Sequence, residues 1–114
     1  YQKYFNAQKQ RYQTSFHKPW LHRSRAALIK LLWRKNAFMH EVQLEPWGPK
    51  NIWEMSFTEQ TKSMGKKQIT RNLTAVRKLK LWPAYLWGGE WWYWLHLHDR
   101  QDFVSHIKKH IIDT

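Results

Sequence analysis

The sequence predicts a mainly α-helical protein that does not fold as an independent compact globule. Two segments repeat apolar residues at helical spacing, with cations on the opposite side of each helix. A Trp-rich segment over residues 81–98 holds a single formal charge, which is typical of a helix at a membrane boundary. Twenty Lys and Arg against eight Asp and Glu give a net charge of +12, which opposes compaction of an isolated chain and indicates an acidic partner.

Residues 1–19 are predicted to form an N-terminal arm that is either helical or extended. Its aromatic residues recur at helical spacing between glutamines and basic residues, and they are Tyr1, Phe5, Tyr12 and Phe16. Because the arm has almost no aliphatic residues, it can bury little apolar surface by itself. We therefore expect it to lie on a neighbouring protein and to end at Pro19.

The first of two basic amphipathic helices in residues 20–80 is predicted from Leu21 to Glu41. One narrow stripe of this helix is apolar and consists of Leu21, Leu28, Leu32 and Met39. The opposite side is basic and carries Arg23, Lys30 and Arg34. We expect the apolar stripe to pack, whereas the basic side is either a solvated surface or a contact for anions.

A loop over residues 45–57 separates the two helices. Pro46 and Pro49 stiffen it and prevent a continuous helix. Trp47 and Trp53 are predicted to anchor a protein interface, because indole rings favour boundaries between apolar and wet surroundings.

The second basic helix is predicted from Lys66 to Leu81, and Thr58 or Ser63 is expected to cap a helical start upstream of it. Its apolar stripe consists of Ile69, Leu73 and Val76, and its basic side carries Lys67, Arg71 and Lys78. We expect the two helices to pair through their stripes. Their cations would then face anionic lipid, an acidic partner or RNA.

The aromatic segment over residues 81–98 is predicted to be one helix that starts near Pro83 and either spans a membrane or lies on it. Its expected membrane or partner anchors are Trp82, Trp87, Trp91, Trp92, Tyr93 and Trp94. Eighteen residues would span about 27 Å, which is marginal for a hydrocarbon core of about 30 Å. Glu90 would need a partner there. A different interpretation places these rings in a soluble core.

Residues 99–114 are predicted to form a helical tail through the spacing of Phe103, Ile107 and Ile111. Asp99, Asp102, His106 and His110 would share one face of it, but Lys108 and Lys109 beside them oppose a metal site. The chain has no cysteine, no phosphate-binding loop and no nucleophile motif. The sequence thus predicts no enzyme, no metal, no cofactor and no small-molecule substrate.

The pattern Trp91, Trp94, His98-Asp99, Asp102 and His106 resembles the Trp-rich helix and acidic segment of the small AGGG-type accessory subunit of mitochondrial respiratory complex I. Pro46 to Gly48 is similar to a loop in another single-span subunit of the same membrane arm. The resemblance implies a subunit without a redox centre that stabilises the membrane arm. Its basic helices would contact anionic lipid such as cardiolipin, or acidic subunits.

We therefore expect a non-catalytic accessory subunit of a respiratory chain complex in the mitochondrial inner membrane, with other subunits of that assembly as partners. A first residue of Tyr1 fits either a processed, imported chain or a fragment. The second hypothesis is a mitochondrial ribosomal protein in the matrix that binds rRNA, because a basic chain with aromatic rings can neutralise phosphates and stack on bases.

Overall fold

The computed structural model describes residues 2–15 and 18–112. Helices make up 55% of it, and two small sheets make the fold mixed α/β, so the prediction of a mainly α protein is only partly correct. In chain order the elements are β1 Gln2–Asn6, β2 Arg11–Ser15, α1 Pro19–Trp33, β3 Met39–Gln43, a 3-10 helix Ile52–Glu54, α2 Phe57–Ser63, α3 Lys66–Leu79, β4 Ala84–Trp87, α4 Gly89–Leu97 and α5 Gln101–Ile112.

The hydrophobic core lies between α3, α4, α5 and the segment that follows β3. Its buried side chains are Leu44, Met64, Ile69, Leu73, Trp91, Leu95, Phe103 and Ile107. The predicted apolar stripe of α3 is confirmed, and so is the helical spacing of the tail, since α5 buries Phe103 and Ile107 against α3 and α4. This part of the chain has its own core, contrary to the expectation that no independent globule forms.

The arm folds back on the protein as a hairpin of β1 and β2, so the extended interpretation is confirmed and the helical one is wrong. Phe5 pairs with Tyr12 in the antiparallel ladder, and their rings meet edge to face at 5.4 Å. The Phe5 N–H donates to the Trp47 carbonyl at 2.8 Å, which ties the hairpin to this chain rather than to a neighbour. Tyr1 and Phe16 lie outside the described residues.

The Tyr12 hydroxyl clamps the hairpin to α2 by donating to Glu59 Oε1 at 2.6 Å, and Lys62 Nζ lies 2.7 Å from Glu59 Oε2. Burial and the neighbouring carboxylate raise the pKa of Tyr12 well above its ordinary value. The hydrogen bond from Lys62, followed by that from Tyr12, lowers the pKa of Glu59. A charged Glu59 and a neutral Tyr12 are thus the favoured forms in the folded protein.

The first basic helix is shorter than predicted, because α1 ends at Trp33 instead of Glu41. Arg34 adopts a left-handed conformation with φ of 53°, and its N–H donates to the Lys30 carbonyl, which closes the last turn. Met39 and Glu41 belong to β3, which pairs in parallel with β4. The backbone of this segment satisfies its hydrogen bonds in a ladder with a strand more than forty residues away, which no local pattern reveals.

The aromatic segment is not one helix. Its first half includes β4, Gly88 turns the chain with φ of 154°, and only residues 89–97 are helical. A Cβ at Gly88 would lie 2.2 Å from the Leu44 carbonyl oxygen, so only glycine permits this close approach. Pro83 precedes a strand instead of opening a helix. Within residues 2–15 and 18–112, no helix has both the length and the apolar character that a bilayer crossing requires.

The helix starts also differ from the sequence prediction. Ser56, and neither Thr58 nor Ser63, caps α2 by accepting from the Glu59 N–H at 3.2 Å. The next helix, α3, ends two residues before the predicted Leu81, because Lys80 adopts a left-handed conformation with φ of 53°.

Candidate interaction surface

Helix α1 has fifteen residues and buries none of them. Its exposed large hydrophobic side chains are Trp20, Leu28, Ile29, Leu31, Leu32 and Trp33. Trp20, Ser24, Leu28 and Leu31 follow one another at separations of three or four residues, so they share one side of the helix. Together with Leu32 they form what we call the outer face of α1.

The outer face points away from the body of the protein. The half-buried residues Pro19, His22 and Ala26 lie on the opposite side of α1, which contacts α3. Pro19 and His22 line a cavity together with Ala75 and Leu79 of α3. The two basic helices therefore do pair, but not through the predicted stripe, since Leu28 and Leu32 remain 53% and 58% exposed. The leucines Leu28, Leu31 and Leu32 on the outer face stay exposed.

Cations line both borders of the outer face. The exposed Arg23, Lys30 and Arg34 follow one border, and Arg25 lies beside Leu32 on the other. Nine of the twenty Lys and Arg, and none of the eight Asp and Glu, fall within residues 1–40. The outer face therefore combines apolar surface with a positive rim.

A groove of about 320 Å³ runs along the side of α1 next to the start of the aromatic segment. Its lining includes three cations and one indole, Lys30, Lys35, Lys80 and Trp82. Trp82 is about half exposed there. Beyond this groove, the Phe38 and Tyr85 rings pack edge to face at 6.0 Å and extend the exposed aromatic surface across β3 and β4.

The predicted aromatic anchors have different environments. Trp91 is fully buried, and its Nε1–H donates to Gln60 Oε1 at 2.9 Å, so its assignment as a membrane or partner anchor is wrong. The Trp92 Nε1–H donates to the Leu44 carbonyl at 3.0 Å, and half-buried Trp94 stacks on His98 at 3.9 Å. The exposed members of the set are Trp82, Trp87 and Tyr93.

Glu90 and Trp87 lie at the surface beside the turn at Gly88. Glu90 occupies the first turn of α4, where a negative charge interacts favourably with the helix dipole. It is exposed and therefore needs no membrane-embedded partner. The Trp87 Nε1–H donates to Glu45 Oε1 at 2.9 Å, which holds one exposed indole in place.

A second basic surface follows α3, where the predicted residues Lys67, Arg71 and Lys78 are exposed. The first two line a groove of about 620 Å³ together with Lys3, Lys62 and Lys66. Two of these lysines already have carboxylate neighbours, because Lys62 pairs with Glu59 and Lys66 Nζ lies 2.9 Å from Asp102 Oδ2. This surface is thus less strongly positive than the border of α1.

The two predicted interface tryptophans of the loop, Trp47 and Trp53, differ in their exposure. Trp47 is half-buried, and its N–H donates to Ser63 Oγ at 3.1 Å while its Nε1–H donates to Glu45 Oε1 at 3.2 Å. Trp53 is 57% exposed on the 3-10 helix. Of these two tryptophans, Trp53 has the exposed ring.

The acidic and histidine side chains of the tail stabilise the fold. Asp102 pairs with Lys66, and His106 Nε2 lies 2.9 Å from the Thr70 hydroxyl oxygen on α3. Burial, and then the neighbouring His110, lower the pKa of His106. In the part of the chain that the structure describes, no three His, Asp or Glu side chains are grouped closely enough to hold a metal ion.

Comparison with protein families, with curated proteins and with solved structures finds no match to this chain. The geometry therefore has to carry the functional argument. The sequence prediction did not include Trp20 and Leu31 in the outer face or Arg25 on its border, although a count of the large apolar residues over 19–33 would have found the first two. It also missed Gln60 as the partner of Trp91, which only the tertiary packing brings together.

Proposed function

We propose that the protein is a non-catalytic accessory subunit of a respiratory complex in the mitochondrial inner membrane, and that α1 attaches it there. The observation that carries this proposal is the outer face of α1, a row of large apolar side chains on a helix without a single buried residue. Fully burying a side chain such as Leu31 stabilises an assembly by about 1.5–3 kcal/mol. A face of this kind is typical of a subunit that completes its packing in an assembly.

The charge distribution supports attachment to an anionic neighbour. Residues 1–40, which include α1 and the hairpin, carry nine of the twenty Lys and Arg and none of the eight Asp and Glu. Acidic subunits or anionic lipid headgroups such as cardiolipin would supply the missing negative charge. The same charge would orient the protein during assembly.

Complex I is the specific candidate because of the resemblance over residues 91–106. Two residues of this segment make contacts within the fold, since Trp91 on α4 donates to Gln60 and His106 on α5 contacts Thr70. The resemblance therefore supports a structural role for the segment. Attachment would then fall to α1 and to the exposed indoles of Trp82, Trp87 and Trp53.

A mitochondrial ribosomal protein is the second candidate, and the groove beside α1 favours it. Trp82 lies among Lys30, Lys35 and Lys80 there, an arrangement in which an RNA base could stack while the cations contact phosphates. The apolar outer face opposes this candidate, because leucine side chains gain little from contact with a phosphate backbone.

Fractionation of mitochondria from the source organism distinguishes the two candidates. Membranes solubilised in mild detergent would be separated on a native gel, and a matched lysate would be sedimented with and without RNase. The proposal predicts comigration with complex I and a sedimentation profile that RNase does not change. Comigration with ribosomal subunits that RNase abolishes would replace the proposal with the rRNA-binding candidate.

A further inference from the structure

We infer that the partner of the outer face of α1 is an anionic phospholipid surface, with the helix lying parallel to the membrane plane at headgroup depth. This inference rests on the proposed function in one respect, namely that α1 is the attachment element. It adds that α1 contacts lipid directly rather than a protein subunit.

The composition of the outer face matches a lipid boundary. Trp20, Leu28, Leu31 and Leu32 are apolar, and Leu31 is 78% exposed. Ser24, the polar residue among them, already donates its hydroxyl to the Trp20 carbonyl at 2.8 Å. The face thus offers mainly apolar area, and its side-chain polar groups are the Trp20 indole N–H, which suits the wet edge of a headgroup layer, and the Ser24 hydroxyl.

The borders of the face match an anionic headgroup layer. Arg23, Lys30 and Arg34 on one border and Arg25 on the other have long stems that can lie along the acyl region while their charges reach the phosphates. A basic helix with Trp and Leu on its apolar side is the usual form of an interfacial anchor. Residues 1–40 contain no Asp or Glu, so their own formal charges are all positive.

The orientation of α1 on the protein permits this contact. Its opposite side, at Pro19, His22 and Ala26, rests on α3, so the outer face is free to meet a flat surface without unfolding any core contact. At a rise of about 1.5 Å per residue, the fifteen residues cover about 22 Å of the membrane plane. A helix of this length can contact several lipid headgroups along its axis.

Vesicle binding by the full chain tests the inference. The probes are vesicles of phosphatidylcholine with cardiolipin and vesicles of phosphatidylcholine alone, separated from free protein by flotation. Each cation near an anionic surface contributes about a fivefold gain in partitioning. The triple variant Arg23→Gln/Lys30→Gln/Arg34→Gln should therefore bind cardiolipin vesicles about 100-fold more weakly than the unmodified chain.

The apolar part of the contact has its own matched comparison. The variant Leu28→Gln/Leu31→Gln should lose at least about tenfold in binding to cardiolipin vesicles. Leu97→Gln alters a side chain that is 60% exposed on α4, and it should bind like the unmodified chain. Brominated lipid should quench a fraction of the tryptophan fluorescence that disappears in Trp20→Phe but persists in Trp53→Phe. Circular dichroism verifies that each variant is folded.

Three results would overturn the inference. They are failure of the full chain to float with cardiolipin vesicles, equal binding by the Leu28→Gln/Leu31→Gln and Leu97→Gln variants, and unchanged quenching in Trp20→Phe. If the protein still comigrates with complex I, the proposed function stands and a subunit covers the outer face. If it instead binds RNA but no vesicles, both proposals fail together.

Discussion

Replacement of Trp91 by phenylalanine separates a core role from a membrane-anchor role for the aromatic segment. In the structure Trp91 is fully buried between α2 and α5, where it donates to Gln60 Oε1 and meets the Phe103 ring edge to face at 6.2 Å. Gln60 is itself fully buried, and its amide nitrogen is already engaged with the carbonyls of Ile52 and Met55. Among the described residues, Trp91 is the donor to its Oε1.

The expected loss follows from two contributions. A buried acceptor left without a donor costs about 1–3 kcal/mol. The space vacated by the smaller ring adds a cavity contribution of about 1 kcal/mol. Trp91→Phe should thus lower the free energy of unfolding by about 3 kcal/mol, a large share of the roughly 6–17 kcal/mol expected for a domain of this length. The melting temperature should fall by about 10 °C.

Urea unfolding followed by far-ultraviolet circular dichroism measures this change without relying on tryptophan emission. Trp53→Phe is the matched control, since it makes the same replacement at an exposed indole and should change stability by less than about 0.5 kcal/mol. Equal stabilities of the two variants would refute the placement of Trp91 in the core. They would restore its interpretation as an external anchor.

Three further predictions use the same unfolding measurement. Gly88→Ala should destabilise the protein severely, because its Cβ would lie 2.2 Å from the Leu44 carbonyl oxygen. Gly89→Ala is the control, since a Cβ there meets no atom within 4 Å and should be tolerated. Similar stabilities of the two variants would contradict the close approach at Gly88. The lowered pKa of Glu59 gives stability above the ordinary carboxyl pKa that is lost as pH falls through the folded pKa. The raised pKa of Tyr12 gives stability below pH 10.0 that is lost as pH rises through the folded pKa. Tyr12→Phe should flatten the alkaline end of the stability profile and only part of the acid end, because the hydrogen bond from Lys62, the larger cause of the Glu59 shift, remains. The lowered pKa of His106 predicts that the free energy of unfolding decreases as pH falls below 6.5. His106→Gln should remove this decrease. If the variant shows the same decrease, another group is responsible for it.

Helices whose apolar face meets the core could be predicted from the sequence. Ile69, Leu73 and Val76 are buried on α3, and Phe103 and Ile107 are buried on α5, because burial of one face imposes the helical period on the sequence itself. The extended form of the N-terminal arm was one of two predictions, and its folding onto Trp47 was not foreseen.

The remaining differences come from contacts between distant segments. Strand β3 replaces the end of the predicted first basic helix, and β4 interrupts the predicted aromatic helix over residues 81–98. Each strand is too short to give a clear alternating pattern. The turn at Gly88 depends on the position of the Leu44 backbone, which local sequence does not encode. The burial of Trp91 depends on Gln60 in the same way.

The exposure of the cations on α1 agrees with the sequence prediction, whereas the exposure of its leucines does not. Arg23, Lys30 and Arg34 were chosen as contacts for anions, and the structure keeps them exposed beside apolar residues. The stripe of Leu21, Leu28, Leu32 and Met39 was expected to pack against the second basic helix. An amphipathic pattern indicates that a face is to be covered, but it does not tell whether the partner belongs to the same chain.

Incorporation of the Leu28→Gln/Leu31→Gln variant into the proposed complex tests the central claim most directly. The variant and the Leu97→Gln control would be expressed in the source organism, and the fraction of each that comigrates with complex I on a native gel would be measured. We predict that the α1 variant is folded but largely absent from the complex, while the control is incorporated like the unmodified protein. Equal incorporation of both variants would contradict attachment through the outer face of α1.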